Sequence, residues 1–336
     1  MASVDRYHRQ RIVSEIGEAG QRAVGKSRVL VLGVGALGSL AADLLARAGV
    51  GHLRIVDRDV VELTNLQRQI LYAESDVDSP KAEAAGRRLA AVNSEIVIEA
   101  TAKDFNARTY ADLLGGVDLV LDGTDNMATR LLLNDACLKL DIPWVYGGAI
   151  ATNGMVLPVV PGGGPCFRCM VPNVPPPGSL PTCDTAGIVN TVPAAIAGLQ
   201  VTLGLRQLLG NAPPPKLYVF DVWTMDFQKL DLKKRKDCPA CGKHEYEFLA
   251  ASSREIIASL CGRNAISLDP MHAGPIEMAV VAERLKKLGK VRTAGSVLVF
   301  DGEGVALTVF PDGRALIRGT EDPDRAKALY AKYIGR

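Results

Sequence analysis

Histidine is scarce. The chain has four in 336 residues (His8, His52, His244 and His272), none at a triad-like or metal-ligating spacing, so each reads as structural or superficial. Chemistry built on an imidazole base is therefore not what this chain offers. Charge of one sign is missing too. With 39 basic and 37 acidic residues the net charge is +2, which implies no polyelectrolyte partner. The basic run Lys233-Lys234-Arg235-Lys236 reads as a solvated turn, and no nucleic acid is expected. Long apolar runs are also absent. The most apolar stretch, Ile188 to Leu209, is interrupted by Asn190, Gln200, Arg206 and Gln207. It falls short of a bilayer span and reads as a buried or interface helix with Pro193 in its first turn. The first ten residues carry no apolar h-region, and seven cysteines are an odd number. A secreted disulfide scaffold is thus disfavoured, and a cytoplasmic protein without membrane association is expected. There is no internal repeat, and the one biased tract is rich in Pro and Gly, over 172–187 (Pro172, Pro175, Pro176, Pro177, Gly178, Pro181). It reads as a long crossing loop of the functional or mobile kind.

What is present is an ordinary globular composition, 48% hydrophobic and 23% charged, with length for one large α/β domain and a smaller one. Strand-like runs at 28–33, 52–57, 95–100, 117–122 and 143–148 alternate with helical patterns at 36–49, 79–92, 106–114 and 125–140. That alternation predicts a doubly wound, mostly parallel Rossmann-like sheet with its ligand at the carboxyl ends of the strands. Residues 154–160, 217–221 and 225–231 look like antiparallel additions. Beyond Phe248 the pattern restarts, with strands at 265–268, 296–300 and 306–310, a helix over 275–288 and another from Asp322 to Tyr333. The expectation is a large α/β domain over 1–248 and a small α+β appendage over 249–336.

Residues 33–38 read Gly-Val-Gly-Ala-Leu-Gly between a strand-like and a helix-like run, and Asp57 ends the next apolar run. The first glycine permits a tight turn, the second lets backbone approach phosphate, and the third lets helix pack on strand. Alone, this suits NAD(P), with Asp57 on the ribose hydroxyls. The residues that follow point elsewhere. Asn65, Gln67, Arg68, Lys81 and Asp125 supply groups that a triphosphate and a metal require and a nicotinamide does not. Arg68 offers a planar fork for phosphate oxygens. Lys81 follows Ser79-Pro80 at a helix start, a position that opposes the helix dipole unless an anion sits there. Asp59 could reach the same sugar or metal. In Asp122-Gly-Thr-Asp125-Asn126, either Thr124 or Asp125 is an N-cap, or Asp125 holds Mg2+. Arg6-Tyr-His-Arg-Gln10 reads as a surface arm, or as a strap carrying Arg9 to a neighbouring subunit's phosphates. Cys183 is either a reactive thiol or a spare structural one, and Cys137 belongs in a core.

Cys166-Phe-Arg-Cys169 and Cys238-Pro-Ala-Cys241 are two Cys-x-x-Cys knuckles with 68 residues between them. Four thiolates at this spacing point to structural zinc with no open coordination position; an iron–sulfur cluster uses the same ligands. Gly164-Pro165 and Gly242 fit the tight turns that knuckles need.

In order along the chain stand Arg6-Tyr-x-Arg-Gln10, Gly33-x-Gly-x-Leu-Gly38, Asp57-x-Asp59, Asn65-Leu-Gln-Arg-Gln69, Pro80-Lys81, Asp122-x-Thr-Asp-Asn126, the two cysteine pairs and Thr182-Cys-x-x-Ala-Gly187. Over about residues 5–245 this set resembles the molybdopterin-synthase and thiamine-biosynthesis adenylyltransferases, bacterial relatives of ubiquitin-activating enzyme. The resemblance implies that the Gly33–Gly38 turn with Gly35 and Ala36, together with Asp57 and Asp59, binds ATP. It places Asn65, Gln67, Arg68 and Lys81 about the phosphates, Asp125 and Asn126 beside magnesium, and Arg9 across the interface of a homodimer. It implies zinc on the four cysteines and a loop cysteine at Cys183 variably used in sulfur or acyl transfer. The implied activity is adenylation of the C-terminal Gly-Gly of a small ubiquitin-like sulfur carrier, the molybdopterin type first and the thiamine type second. A cysteine desulfurase or rhodanese would donate sulfur. A carboxylate nucleophile is already ionised, so positioning and charge neutralisation matter more than a base, in keeping with the few histidines. The proline cluster 175–177, the lack of a fused rhodanese domain and the unmatched residues 250–336 depart from the pattern. The rival class is an NAD(P)-dependent dehydrogenase with structural zinc, for which no hydride-transfer acid/base pair is present.

Overall fold

The computed structural model describes residues 5–176, 179–250, 256–260, 264–270, 276–302 and 304–335. Helices α1 (His8–Arg11) and α2 (Gly17–Lys26) lead into β1 (Arg28–Leu32), α3 (Ala36–Ala48), β2 (His52–Val56), α4 (Lys81–Val92), β3 (Val97–Thr101), α5 (Tyr110–Leu114), β4 (Leu119–Asp122), α6 (Met127–Lys139) and β5 (Trp144–Ile150). Next come β6 (Asn153–Val159), α7 (Phe167–Met170), α8 (Cys183–Ala186), α9 (Thr191–Leu208), β7 (Lys216–Asp221), β8 (Asp226–Asp231) and α10 (Glu247–Ala250). The eight strands form one sheet in the order β3-β2-β1-β4-β5-β6-β7-β8. The first five are parallel, and β6, β7 and β8 join antiparallel, as the sequence pattern predicts.

The continuous apolar character of β1 follows from cover on both faces. Val29 and Val31 face a core shared with Leu37, Ala41 and Leu45 of α3 and Ile196 and Val201 of α9. Leu30 and Leu32 face the opposite core with Leu131, Leu133 and Cys137 of α6, Trp144 and Phe167. Alternate side chains on one strand thus serve two cores. The apolar run 188–209 forms α9, buried between polar termini, with Pro193 third in the helix. The helix expected over 106–114 begins only at Tyr110. Asn106 Oδ1 accepts the Arg108 and Thr109 N–H groups, and Thr109 Oγ1 donates to Asp104 O at 2.7 Å, so a side-chain turn replaces the first helical turn. The Pro/Gly-rich stretch contains one short helix, α8; Pro177 and Gly178 lie outside the described residues.

Contacts divide the chain into two compact units. One comprises Met1–Val77, Lys81–Pro176 and Ala186–Ser252; the other comprises Asp78–Pro80, Pro177–Thr185 and Ser253–Arg336. The second holds β9 (Ile256–Leu260), β10 (Ala265–Asp269), α11 (Met278–Leu285), β11 (Lys290–Ala294), β12 (Val297–Gly302), β13 (Val305–Val309), β14 (Ala315–Arg318) and α12 (Pro323–Tyr333). Its sheet has the order β11-β12-β13-β14-β10-β9, and its core includes Phe300, Leu307, Ile317 and Tyr333. The hairpin expected from the runs at 296–300 and 306–310 is β12–β13. Strand β11 has no counterpart in the sequence pattern because it is an edge strand whose Lys290, Arg292 and Thr293 are exposed, leaving no clean apolar alternation. The helix over 275–288 is shorter, Met278–Leu285, and Pro275 lies outside the described residues. No described helix is long and apolar enough to cross a membrane.

Candidate nucleotide site and thiolate cluster

The turn after β1 is built by three glycines in contact. Gly33 has φ +81°, a left-handed conformation for which glycine is suited. The Val34 N–H donates to Asp57 Oδ2 at 2.7 Å, which turns the Gly33 carbonyl the other way across the peptide plane. That carbonyl oxygen would lie 1.8 Å from a Cβ at Gly38 and 2.2 Å from one at Gly123. Only glycine fits either position. Gly38 therefore performs the helix-packing role read from the hexapeptide. Gly123, from the loop after β4, is a partner that sequence reasoning missed, although it sits inside the Asp122–Asn126 motif. A Cβ at Gly35, by contrast, would meet nothing closer than Gln69 Nε2 at 3.7 Å. The backbone there is open to close approach. Gly35 is also the N-cap of α3 and makes no side-chain capping bond, so the dipole end and free N–H groups of that helix face the turn.

Asp57, at the carboxyl end of β2, is buried. Besides Val34 it accepts the Asp59 N–H at 2.8 Å on Oδ1. Burial pushes its carboxyl up, while the nearby Lys81 ammonium pulls it down. Lys81 opens α4 and is only 3% exposed. Its Nζ lies 3.4 Å from Asp59 Oδ2, and its N–H donates to Asp59 O. Asp57, Asp59, Lys81 and the glycine turn are thus one assembly. A buried cation with one ion pair among the described residues, at 3.4 Å, beside an open helix N-terminus suits a polyanion.

Asn65 ends a 3-10 turn (Leu63–Asn65), is 1% exposed, and accepts the Glu62 N–H through Oδ1. Gln67 donates to Ile188 O at 3.4 Å, tying this segment to the approach to α9. Arg68 Nη1 donates back to Thr64 O at 3.0 Å. Gln69 is buried with its Oε1 unpartnered among the described residues, and its Nε2 is the side-chain atom nearest a Cβ built at Gly35. Neither it nor Tyr72, whose hydroxyl donates to Val34 O at 2.7 Å, was singled out from the sequence as a site residue.

At the end of β4 the Asp122 carboxylate, fully buried, accepts Thr124 N–H and Oγ1 at 2.9 and 2.6 Å and Arg130 Nε at 3.1 Å. Burial pushes that carboxyl up, and Arg130 opposes the shift. Arg130 also donates to Thr124 O and to Gly147 O (3.0 Å), and lies over the Tyr146 ring. Gln200 Nε2 bridges Asp122 O and Val145 O at 2.8 Å each. The parallel ladder between β4 and β5 comprises only Val120↔Trp144 and Leu121↔Val145. Beyond it, Arg130 and Gln200 replace the strand hydrogen bonds and hold the loop that carries Asp125. Asp125 is exposed on that loop. The N-cap of α6 is neither Thr124 nor Asp125 but Asn126, whose Oδ1 accepts the Thr129 N–H at 2.9 Å.

The N-terminal arm is docked rather than loose. Asn93 Nδ2 donates to the Tyr7 hydroxyl at 2.8 Å, and Gln10 Nε2 donates to Gln21 Oε1 and to Ala48 O. Arg9 is exposed on α1. Cys183 opens α8, is half-buried, and belongs to the second unit's contacts.

The four knuckle cysteines come together. Their Sγ atoms lie within 4.8 Å of one another, all buried, with Cys166–Cys238 at 3.7 Å and Cys169–Cys241 at 3.4 Å. A tetrahedral ion with Zn–S bonds of about 2.3 Å needs sulfurs about 3.8 Å apart, so the set fits such a metal. The Arg235 N–H points at Cys169 Sγ at 3.4 Å. A Cβ at Gly242 would strike Lys236 O at 2.5 Å, which explains a glycine in that knuckle. Burial, then the neighbouring Cys169 and Cys238, pushes the Cys166 thiol up to about 12. Thiolates packed this closely repel one another, and a cation among them offsets that repulsion. The cluster locks α7 and the segment after β8 against α6, where Asn134 Oδ1 accepts the Phe167 N–H.

This fold and glycine turn, with a closed four-thiolate site, define a nucleotide-binding α/β protein, and its family and named relatives make it a nucleotidyltransferase. The ThiF family profile matches residues 7–240, and the chain belongs to that family. It is 38% identical over 335 residues to the sulfur carrier protein ThiS adenylyltransferase of Bacillus subtilis (strain 168), covering 98% of this chain and 99% of that one. It is 40% identical over 241 residues to adenylyltransferase and sulfurtransferase MOCS3 of Culex quinquefasciatus, covering 71% of this chain and 55% of that protein. Among solved structures, E. coli MccB with MccA-N7isoASN has a TM-score of 0.63 at 23% identity, over 72% of this chain and 75% of that one, which shows a shared fold.

Proposed function

We propose that this protein uses ATP to adenylate the C-terminal Gly-Gly carboxylate of a small ubiquitin-like sulfur carrier, releasing pyrophosphate and readying the carrier for sulfur transfer from a desulfurase or rhodanese. The observation that carries the reading is the buried Lys81, held only loosely by Asp59 beside the uncapped start of α3 and the open backbone at Gly35. Residues 1–248 carry the reaction. The Gly33–Gly38 turn with Ala36, Asn65, Gln67, Arg68 and Lys81 would hold the nucleotide phosphates, and Asp57 and Asp59 the ribose side. Magnesium, when bound, would neutralise phosphate charge, with Asp125 and Asn126 the candidate groups on the loop after β4. The four knuckle cysteines would hold zinc as a purely structural ion. The chain's own contribution is positioning and a fixed positive field, because the attacking carboxylate needs no base. Arg9 reaches the neighbouring site of a cytoplasmic homodimer, and Cys183 is the candidate for a covalent sulfur or acyl step.

The sequence pattern ranks a molybdopterin-type carrier first. A thiamine-type carrier is better supported, because the ThiS adenylyltransferase matches through the C-terminal appendage (residues 249–336) as well, whereas the MOCS3 match covers 71% of the chain. Carrier-dependent ATP–pyrophosphate exchange tests the whole reading. Asp125→Ala should abolish exchange while circular dichroism and metal content stay those of the unmodified protein; full exchange in that variant refutes the assignment. Mixing Asp125→Ala with Arg9→Ala subunits should restore part of the activity, since one site of a mixed dimer then has both residues. No restoration refutes the shared site.

A further inference from the structure

We infer that Tyr72 is a positioning residue for nucleotide binding: it aims the Gly35 N–H at a phosphate by holding the carbonyl on the other side of the same peptide. The inference rests on the nucleotide reading above. Val34 is completely buried, and both of its backbone polar groups are engaged by side chains. Its N–H donates to Asp57 Oδ2 at 2.7 Å, and its C=O accepts from the Tyr72 hydroxyl at 2.7 Å. None of the peptide bonds is cis, and in a trans peptide C=O and N–H point in opposite directions. Drawing the Val34 carbonyl toward Tyr72 therefore turns the Gly35 N–H away from Tyr72. That N–H has no hydrogen-bond partner among the described residues, and Gly35 is more open to close approach than Gly33 or Gly38 in the same turn. Asp57 performs the matching service one peptide earlier, directing the Gly33 carbonyl into the contact with Gly38 and Gly123. Two buried side chains from different segments thus fix two successive peptide planes of one turn.

Tyr72 is suited to this task. It is 8% exposed, and burial, then the charges of Asp57, Asp59 and Asp76, pushes its phenol well above the usual range. It therefore stays a donor. Without the hydroxyl, the Val34 carbonyl would be buried and unsatisfied, and the peptide would be free to rotate and misdirect the Gly35 N–H.

The test is Tyr72→Phe in the full chain, with affinities for adenosine and for ATP measured by calorimetry in the presence of magnesium. The ratio of ATP to adenosine affinity should fall about 10–150-fold, the loss of one hydrogen bond to a charged group. In exchange assays KM for ATP should rise by a similar factor while kcat stays within about twofold. A general structural defect would weaken both ligands alike and leave the ratio unchanged, so an unchanged ratio overturns the inference. Because the ratio is a property of folded molecules, partial unfolding of the variant does not blur it. In unmodified protein the Gly35 amide resonance should shift with ATP and not with adenosine, and the absence of that shift also overturns it. If the unmodified chain fails to prefer ATP to adenosine, the nucleotide reading falls and this inference with it; a normal preference in both proteins sinks this inference alone.

Discussion

Asp135 on α6 should make the protein less stable at neutral pH than in mild acid. The residue is 1% exposed. One carboxylate oxygen accepts the Phe248 N–H at 3.1 Å, and the other is buried without a partner among the described residues. Burial pushes its titration from 3.8 up to about 6. The folded chain thus holds this proton more tightly than the unfolded chain does. The contribution to stability is fully present below pH 3.8 and is lost as pH rises through about 6. At 1.36 kcal/mol per tenfold change in proton affinity, the loss is about 3 kcal/mol by pH 7. Asp135→Asn keeps an acceptor for Phe248 and removes the titration. Urea unfolding of the metal-loaded protein and the variant, measured every half unit from pH 4 to 7.5, gives two stability curves. Their difference should grow in the variant's favour by about 2 kcal/mol across that range, because at pH 4 the unfolded chain is already partly ionised. Titrations common to both proteins, including the thiolates, cancel in the difference. A difference that is flat with pH, or that grows in the opposite direction, refutes the assignment of an unpaired buried carboxyl.

Other outcomes follow from the same geometry. Gly38→Ala sets a methyl 1.8 Å from the Gly33 oxygen, so thermal unfolding should show a loss of about 3 kcal/mol or more and ATP should no longer raise Tm; a normal ATP shift contradicts the close contact. Cys238→Ser should lose bound zinc by elemental analysis and at least about 3 kcal/mol of stability, since metal binding is folding energy in such sites; retained zinc at one per chain would exclude the cluster as its site. Arg130→Met leaves the fully buried Asp122 uncompensated and should cost about 3–5 kcal/mol, most of it recovered when Asp122→Asn is added. Equal destabilisation in the single and double variants would mean that the charge pair is not what matters.

The strand–helix alternation of the first half was legible because a sheet covered on both faces imposes unbroken apolar runs, as in Val29–Leu32. The knuckle cysteines were legible because their spacing is itself a coordination geometry. Less visible were residues whose task depends on distant neighbours. Gly123 is glycine because the Gly33 carbonyl, 90 positions earlier, points at it. Arg130 and Gln200 take up the ends of β4 and β5 from two different helices, and neither stands in a motif. Asn126 became the α6 cap in preference to Thr124, which is drawn back to the Asp122 carboxylate instead. In the appendage, the edge strand β11 was hidden because exposed edges carry charge rather than alternation.

Local order alone was enough to read the parallel topology, the glycine turn and the pairing of the four clustered cysteines, since each depends on residue type at short spacing. Tertiary structure alone decided which peptide planes are pinned, which carboxylates are buried and how the ends of β4 and β5 are held. Those properties arise from burial and hydrogen-bond direction between segments far apart in the chain, and linear spacing carries no record of either.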